Sequence, residues 1–281
     1  RRPPRSTLDR SSAASDVYKR QLVTGGAGFI GSHLTDKLVK LNHEVDVLDD
    51  FSSGLIENKN SEANYLVRDI NENIDDLDGY DIIFHLAAMA RIQPSFDNPL
   101  KTIDLNVRGT ANICGLASRN KSRLIYSGSS SFYGGKYLNP YAFSKWQGEE
   151  VCKMFSSVYG LSTAIARFFN VYGPRQLCDG PYATVIGIFE KQIIRNEHLT
   201  ITGDGNQRRD FTHVNDIVNG LILMSKKKWS GEIFNLGTGK NHSINEIAKI
   251  HNLRVTNIGY VKSGKNGQVT SNNRPINICL L

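Results

Sequence analysis

A chain of 281 residues, 40% hydrophobic and 22% charged, can build one large domain or two modest ones, and no apolar run approaches the roughly 18 residues of a membrane span. The net charge of +7 invites a nucleic-acid partner, but residues 1–20 carry four of those seven charges, so the remainder is near balance and no nucleic acid is expected. Cys114, Cys152, Cys178 and Cys279 form no Cys-x-x-Cys pair and the seven histidines no cluster, which excludes a disulfide scaffold, gives no metal site, and suits a cytoplasmic protein.

Residues 1–20 lack periodicity, and no apolar stretch follows the arginines as a signal peptide requires. Their Ser-Ser-Ala-Ala-Ser-Asp-Val-Tyr-Lys-Arg run resembles translated adapter sequence, so this extension is expected to be foreign or disordered. Leu22 to Thr24 then reads as the end of a first strand, and 25–31 open a helix with apolar positions at Leu34, Leu38 and Leu41. Strands follow at 44–48, 64–67 and 81–86. A long helix fits 99–118, with Leu100, Ile103, Leu105, Val107, Ile113 and Leu116 as its buried positions. A fifth strand at 123–127, a helix carrying Tyr141 and a sixth strand at 162–169 complete the alternation. That pattern predicts an α/β fold, a Rossmann-type doubly wound parallel sheet over 21–173. Beyond Gly173 the pieces shorten: helices at 184–195, 214–224 and 243–250, and a strand at 232–236. These predict a smaller C-terminal α/β substrate lobe over 174–281, laid on the carboxyl edge of the sheet where such folds bind ligands.

Gly25, Gly28 and Gly31 lie between the first strand and its helix. The first permits a tight turn, the second lets backbone approach a pyrophosphate, and the third allows close helix–strand packing. Asp49 ends the next strand, where a carboxylate can bind both hydroxyls of an adenosine ribose. With Asp50 beside it a 2′-phosphate is repelled, so NAD is expected over NADP. The plainer alternative is that Asp49 only starts a turn. Tyr141 and Lys145 are four apart and share a helix face. An ammonium beside the phenol favours phenolate and lowers its pKa from about 10, giving a base for a sugar hydroxyl while a nicotinamide takes the hydride. Such a pair is common on surface helices; behind a dinucleotide-binding glycine run it is specific.

With these motifs, and with Asn106-Val-Arg-Gly-Thr110, Ser129-Ser-Ser-Phe-Tyr-Gly134, Arg167-Phe-Phe-Asn-Val-Tyr-Gly-Pro174 and Phe234-Asn-Leu-Gly-Thr-Gly239, the chain resembles the NAD-dependent nucleotide-sugar epimerase/dehydratase family of extended short-chain dehydrogenase/reductases. The likeness runs from about Gln21 nearly to the end. It implies that Phe29 and Ile30 approach the cofactor phosphates, that Asp69 and Ile70 lie along the adenine, and that Leu86, Ala87 and Ala88 line the dinucleotide. Ser129 would hydrogen-bond the reacting sugar oxygen together with Tyr141, and Lys145 would hold the nicotinamide ribose. Asn170 and Arg209 would grip the substrate diphosphate; without the likeness, Arg209 reads as a solvated charge. Lys265 stands near where the family places a phosphate-binding arginine. Asn106 either serves the cofactor site or simply stabilises its helix.

Two departures qualify the likeness. The connection from Ser129 to Tyr141 lacks the family's usual surface excursion, and the chain stops at Leu281 where the family continues, so a truncated lobe and reduced activity are expected. The dehydratase branch carries an Asp-Glu pair, and the decarboxylase branch a Glu, where this chain has Ser130 and Ser131. The leading expectation is therefore C4 epimerisation of a UDP-hexose. Dehydration, decarboxylation or NAD binding without turnover are the alternatives. The likeness also implies a homodimer through the helices near 99–118 and 141–159, although Val151, Met154, Phe155 and Val158 could equally be core.

Overall fold

Seven parallel strands form the central sheet in the computed structural model, which describes residues 19–180, 183–250 and 255–258. They are β1 (Arg20–Thr24), β2 (Glu44–Leu48), β3 (Asn64–Leu66), β4 (Ile82–His85), β5 (Arg123–Ser129), β6 (Thr163–Phe168) and β7 (Ser230–Leu236). Their spatial order is β7-β6-β5-β4-β1-β2-β3, every neighbouring pair parallel. The central strands are apolar on both faces because helices cover both. On one side α1 (Phe29–Lys40) buries Leu34 and Leu38 against Val23, Val47 and Phe84. The helices α2 (Ile92–Asp97), α3 (Pro99–Ile103) and α4 (Gly109–Asn120) follow β4, and α4 buries Ile113, Cys114 and Leu116 on the opposite side.

After β5 come the single turn α5 (Ser131–Gly135) and the long α6 (Pro140–Tyr159). The start of α6 is fixed by Asn139, whose side chain accepts from the Ala142 amide at 2.8 Å, and by Pro140 in the first turn. Its end is fixed by Gly160 in the left-handed region at φ +66°. Strand order reverses between β1 and β4, so their carboxyl ends leave a crevice. The remaining helices are α7 (Val185–Ile194), α8 (Val214–Met224) and α9 (Ile244–Ile250). Among the described residues no helix is long and apolar enough to cross a membrane.

Three boundaries differ from the sequence reading. Arg20 belongs to β1, not to the foreign extension: its guanidinium pairs with Asp46 at 2.8 Å and lies 4.7 Å from the Tyr80 ring centroid. A charge at a strand's first residue can reach the rim, so it does not break an apolar strand. Residues 1–18 lie outside the described residues. Second, the helix over 99–118 is two helices joined by a π segment, Asp104–Arg108. The wider turn shifts the phase of the buried stripe, so Leu100 is 83% exposed instead of packed. Third, residues after 173 do not all form a separate lobe. Strand β7 pairs with β6, and α8 buries Ile217, Val218 and Leu221 in the same core as α1. The second core is smaller, with Phe189, Leu199, Ile201, Ile244, Ile247 and Ala248.

Candidate active site

A cleft of about 1240 Å³ opens along the carboxyl ends of the strands and runs from the β1–α1 turn to the short strands Arg208–Arg209 and His242–Ser243. At one end Gly25, at φ +72°, lies so close to the next strand's loop that a Cβ would sit 2.7 Å from the Ala87 nitrogen. A Cβ on Gly31 would strike the Gly25 carbonyl. The cap of α1 is Gly28, with no capping side chain, and the first turn holds no acid. The amides of Phe29, Ile30 and Gly31 thus lack intrahelical acceptors, and the positive helix end faces the cleft. This is a fitting cradle for the diphosphate of a dinucleotide.

Asp49 is buried, its two carboxylate oxygens accepting from the Ala27 amide at 2.8 Å and the Phe51 amide at 2.9 Å. Burial raises its pKa and those two bonds oppose the rise. Each oxygen keeps a lone pair for a ribose hydroxyl. Asp50, Asp69, Ile70, Leu86, Ala87 and Ala88 line the same half of the cleft. Asn106 does not. It is buried behind the wall, accepting from the Met89 amide at 2.8 Å and donating to the Met89 carbonyl and to Ser144 Oγ. Its amide is consumed in clamping the 86–91 segment to α6, which corrects the cofactor-binding role expected for it.

At the centre the Tyr141 hydroxyl donates to Ser129 Oγ at 3.4 Å, and Ser131 Oγ donates to the same atom at 2.8 Å. The short connection through α5 therefore leaves Ser129 and Tyr141 in reach of each other. Lys145 is 4% exposed; its ammonium donates to Ser127 Oγ at 3.4 Å and lies 4.4 Å from the Tyr126 ring centroid. Burial pulls its pKa down to about 8, and the Glu149 carboxylate resists the fall. Glu149 is itself buried and paired to Arg167 at 2.6 Å, whose guanidinium lies 3.8 Å from the Phe132 ring centroid. His85 is buried below the cleft between Thr24 Oγ1 and Thr110 Oγ1, and burial lowers its pKa to about 3, so it stays neutral.

At the far end Asn170, at φ +27°, donates to the Asp210 carbonyl at 3.0 Å and faces the cleft. Arg209 also faces it; its guanidinium donates to the Arg208 carbonyl, and burial lowers its pKa. Lys265 lies outside the described residues. The structure adds lining residues absent from the sequence reading: Arg91, Tyr133, Phe169, Arg175, Asn235 and Lys240. Tyr133 stacks on Phe169 with ring centroids 6.0 Å apart and donates to Asn235 at 2.9 Å. The motifs quoted above already held Tyr133, Phe169 and Asn235, whereas Arg91, Arg175 and Lys240 stand in none of them.

The family model described as "NAD dependent epimerase/dehydratase family" matches residues 21–237. A putative UDP-glucose 4-epimerase of Methanocaldococcus jannaschii is 37% identical over 82% of this chain and 80% of its own length. A UDP-N-acetyl-alpha-D-glucosaminuronate decarboxylase of Bacillus cytotoxicus is 35% identical, over 84% and 81%. Among solved structures, the UDP-glucose 4-epimerase of Thermotoga maritima with UDP-glucose superposes with a TM-score of 0.82 at 32% identity, covering 89% of this chain and 88% of that one.

Proposed function

The chain belongs to the NAD-dependent epimerase/dehydratase family, and on that premise we propose that it interconverts the C4 epimers of a nucleotide sugar, with a UDP-hexose as substrate. The observation that carries this reading is the hydroxyl pair of Tyr141 and Ser129 with neutral Ser130 and Ser131 beside it. Epimerisation needs one base at one oxygen; elimination of water needs further acid–base groups, which those serines cannot supply.

NAD, held in the Gly25–Gly31 cradle, supplies the hydride acceptor and donor for C4. Asp49 orients the adenosine ribose, with Asp69 and Ile70 along the adenine. Tyr141 takes the proton of the C4 hydroxyl as the sugar is oxidised, and Ser129 hydrogen-bonds that same oxygen. Lys145 holds the nicotinamide ribose. The keto sugar turns over in the cleft, and Tyr141 returns the proton to O4 once the opposite face has been reduced. Asn170 and Arg209 hold the diphosphate, Arg209 by charge-assisted bonds. Decarboxylation is the second reading, favoured by the likeness to the Bacillus cytotoxicus enzyme and opposed by the lack of a carboxylate at Ser130 and Ser131.

The same reading includes a cytoplasmic homodimer. Leu100 on α3 and Met154 and Val158 on α6 are exposed, which supports a helical interface, whereas Val151 and Phe155 pack on the monomer's core. Incubation with NAD and a panel of nucleotide sugars, with products resolved by chromatography and mass, tests the activity. C4 epimers of unchanged mass are expected, and replacing Tyr141 by Phe should abolish them while NAD still binds. A product lighter by water or carbon dioxide overturns the epimerase reading.

A further inference from the structure

Ser129 Oγ accepts from three donors at once. The Tyr141 hydroxyl reaches it at 3.4 Å, the Ser131 hydroxyl at 2.8 Å and the Ser131 amide at 3.2 Å. A serine hydroxyl has two lone pairs and one proton. Both lone pairs are therefore engaged, one by the phenol and the other by Ser131, whose hydroxyl and amide share it. Among the described residues no group accepts the proton of Ser129 in return. Ser129 is 8% exposed and lines the cleft, so with its other directions filled that proton is left for whatever oxygen the cleft receives. A hydroxyl that already accepts is also the better donor, because each bond polarises the next.

Ser131 is itself held in place. It opens α5 directly after Ser130, whose amide donates to the Phe168 carbonyl of β6 at 3.1 Å. On its other side the Phe132 ring lies on the Arg167 guanidinium, which the buried Glu149 of α6 fixes in turn. Next along, the Tyr133 hydroxyl donates to Asn235 of β7 at 2.9 Å. The single turn is thus tied to β6, α6 and β7, and the direction from which Ser131 donates is set by all three. Without that bond the Ser129 hydroxyl would be free to rotate among its staggered wells.

We propose that Ser131 is a positioning residue for the chemistry at C4: by filling a lone pair of Ser129 it turns that serine's proton toward the sugar oxygen, so that the carbonyl formed there meets an aimed donor. Ser131 touches no reacting atom and exchanges no proton. The proposal rests on Tyr141 and Ser129 acting at C4, as in the proposed function, and not on which product follows.

The test is a double-mutant cycle in turnover, on the full chain with NAD and the nucleotide sugar of the panel that reacts. Ser131→Ala should lower kcat about tenfold and leave KM within about twofold, the effect of one hydrogen bond made in the transition state. Ser131→Thr keeps the hydroxyl and should restore kcat to within about threefold of the parent. Ser129→Ala should cost more, and adding Ser131→Ala to it should cost less than about twofold further, because Ser131 acts only through Ser129. If the alanine variant does not fold, Ser131→Cys gives the same comparison, being of similar size with only a weak donor. Additive losses, or a Ser131→Ala kcat within about twofold of the parent, overturn the proposal. A product lighter by carbon dioxide, formed at rates that obey the cycle, refutes epimerisation alone and supports the role of Ser131. A panel in which no nucleotide sugar is turned over overturns both.

Discussion

Lys145 shows how one residue sets function against stability. The unfolded chain binds its proton with a pKa near 10.5 and the folded chain with one near 8, so protonation favours unfolding. The penalty is full below pH 8 and fades as the pH rises to 10.5, amounting at neutral pH to something on the order of 3 kcal/mol. Replacing Lys145 by Met should therefore raise the melting temperature of the cofactor-free protein at pH 7, with the advantage vanishing toward pH 10.5, while turnover is lost. A variant that melts below the parent at pH 7 would contradict the buried charge. At the other end of the cleft, Asp49→Ser removes a carboxylate that would face a 2′-phosphate. It should shift the NAD-over-NADP preference by about 1–3 kcal/mol, read by titrating both cofactors. That both residues face the cleft was legible from spacing, Asp49 from its place after the glycine run and Lys145 from its four-residue step. The same spacing set the ammonium beside the phenol, whereas its hydrogen bond goes to Ser127. Asn106 could not have been placed by spacing, because what it does depends on a clamp that no local pattern encodes.

Among elements, α6 is tied to β6 by a buried ion pair, Glu149 with Arg167, that crosses from helix to sheet beneath Lys145. Removing one partner strands a charge. Arg167→Met should destabilise the fold by about 3–5 kcal/mol, and joining it with Glu149→Gln should recover much of that loss, as measured by denaturant unfolding. Additive losses would mean that the two charges are not coupled. The helix α6 and the strand β6 were each legible from apolar periodicity. Their tie was not, since a Glu and an Arg eighteen positions apart look like two surface charges. The π segment was hidden for a related reason: an unbroken apolar count over 99–118 cannot show one wide turn that rephases it, and Leu100 was put inside as a result.

For the whole molecule, the exposed apolar residues of α3 and α6 make assembly testable. Val158→Glu puts a charge on α6 at a position 65% exposed in the monomer, so the fold should be untouched while sedimentation shifts from dimer to monomer. A parent chain that already sediments as a monomer at micromolar concentration would remove the proposed interface. The overall α/β plan was legible, because strands alternating with helices leave few topologies. The lobe boundary was misplaced, because β7 begins with an irregular register at Ser230 and follows a run of small elements.

That placement of β7 bears on how the molecule is made. The strand that finishes the sheet's edge is synthesised more than sixty residues after its neighbour β6, with α7 and α8 in between. Until it emerges from the ribosome, β6 presents an open row of amides and carbonyls, a template to which other nascent chains can add. The nucleotide cradle at the other end can be complete long before then. This protein therefore acquires the means to hold its cofactor early and becomes safe from self-association late, so a ribosome stalled near residue 200 would release a chain prone to aggregate.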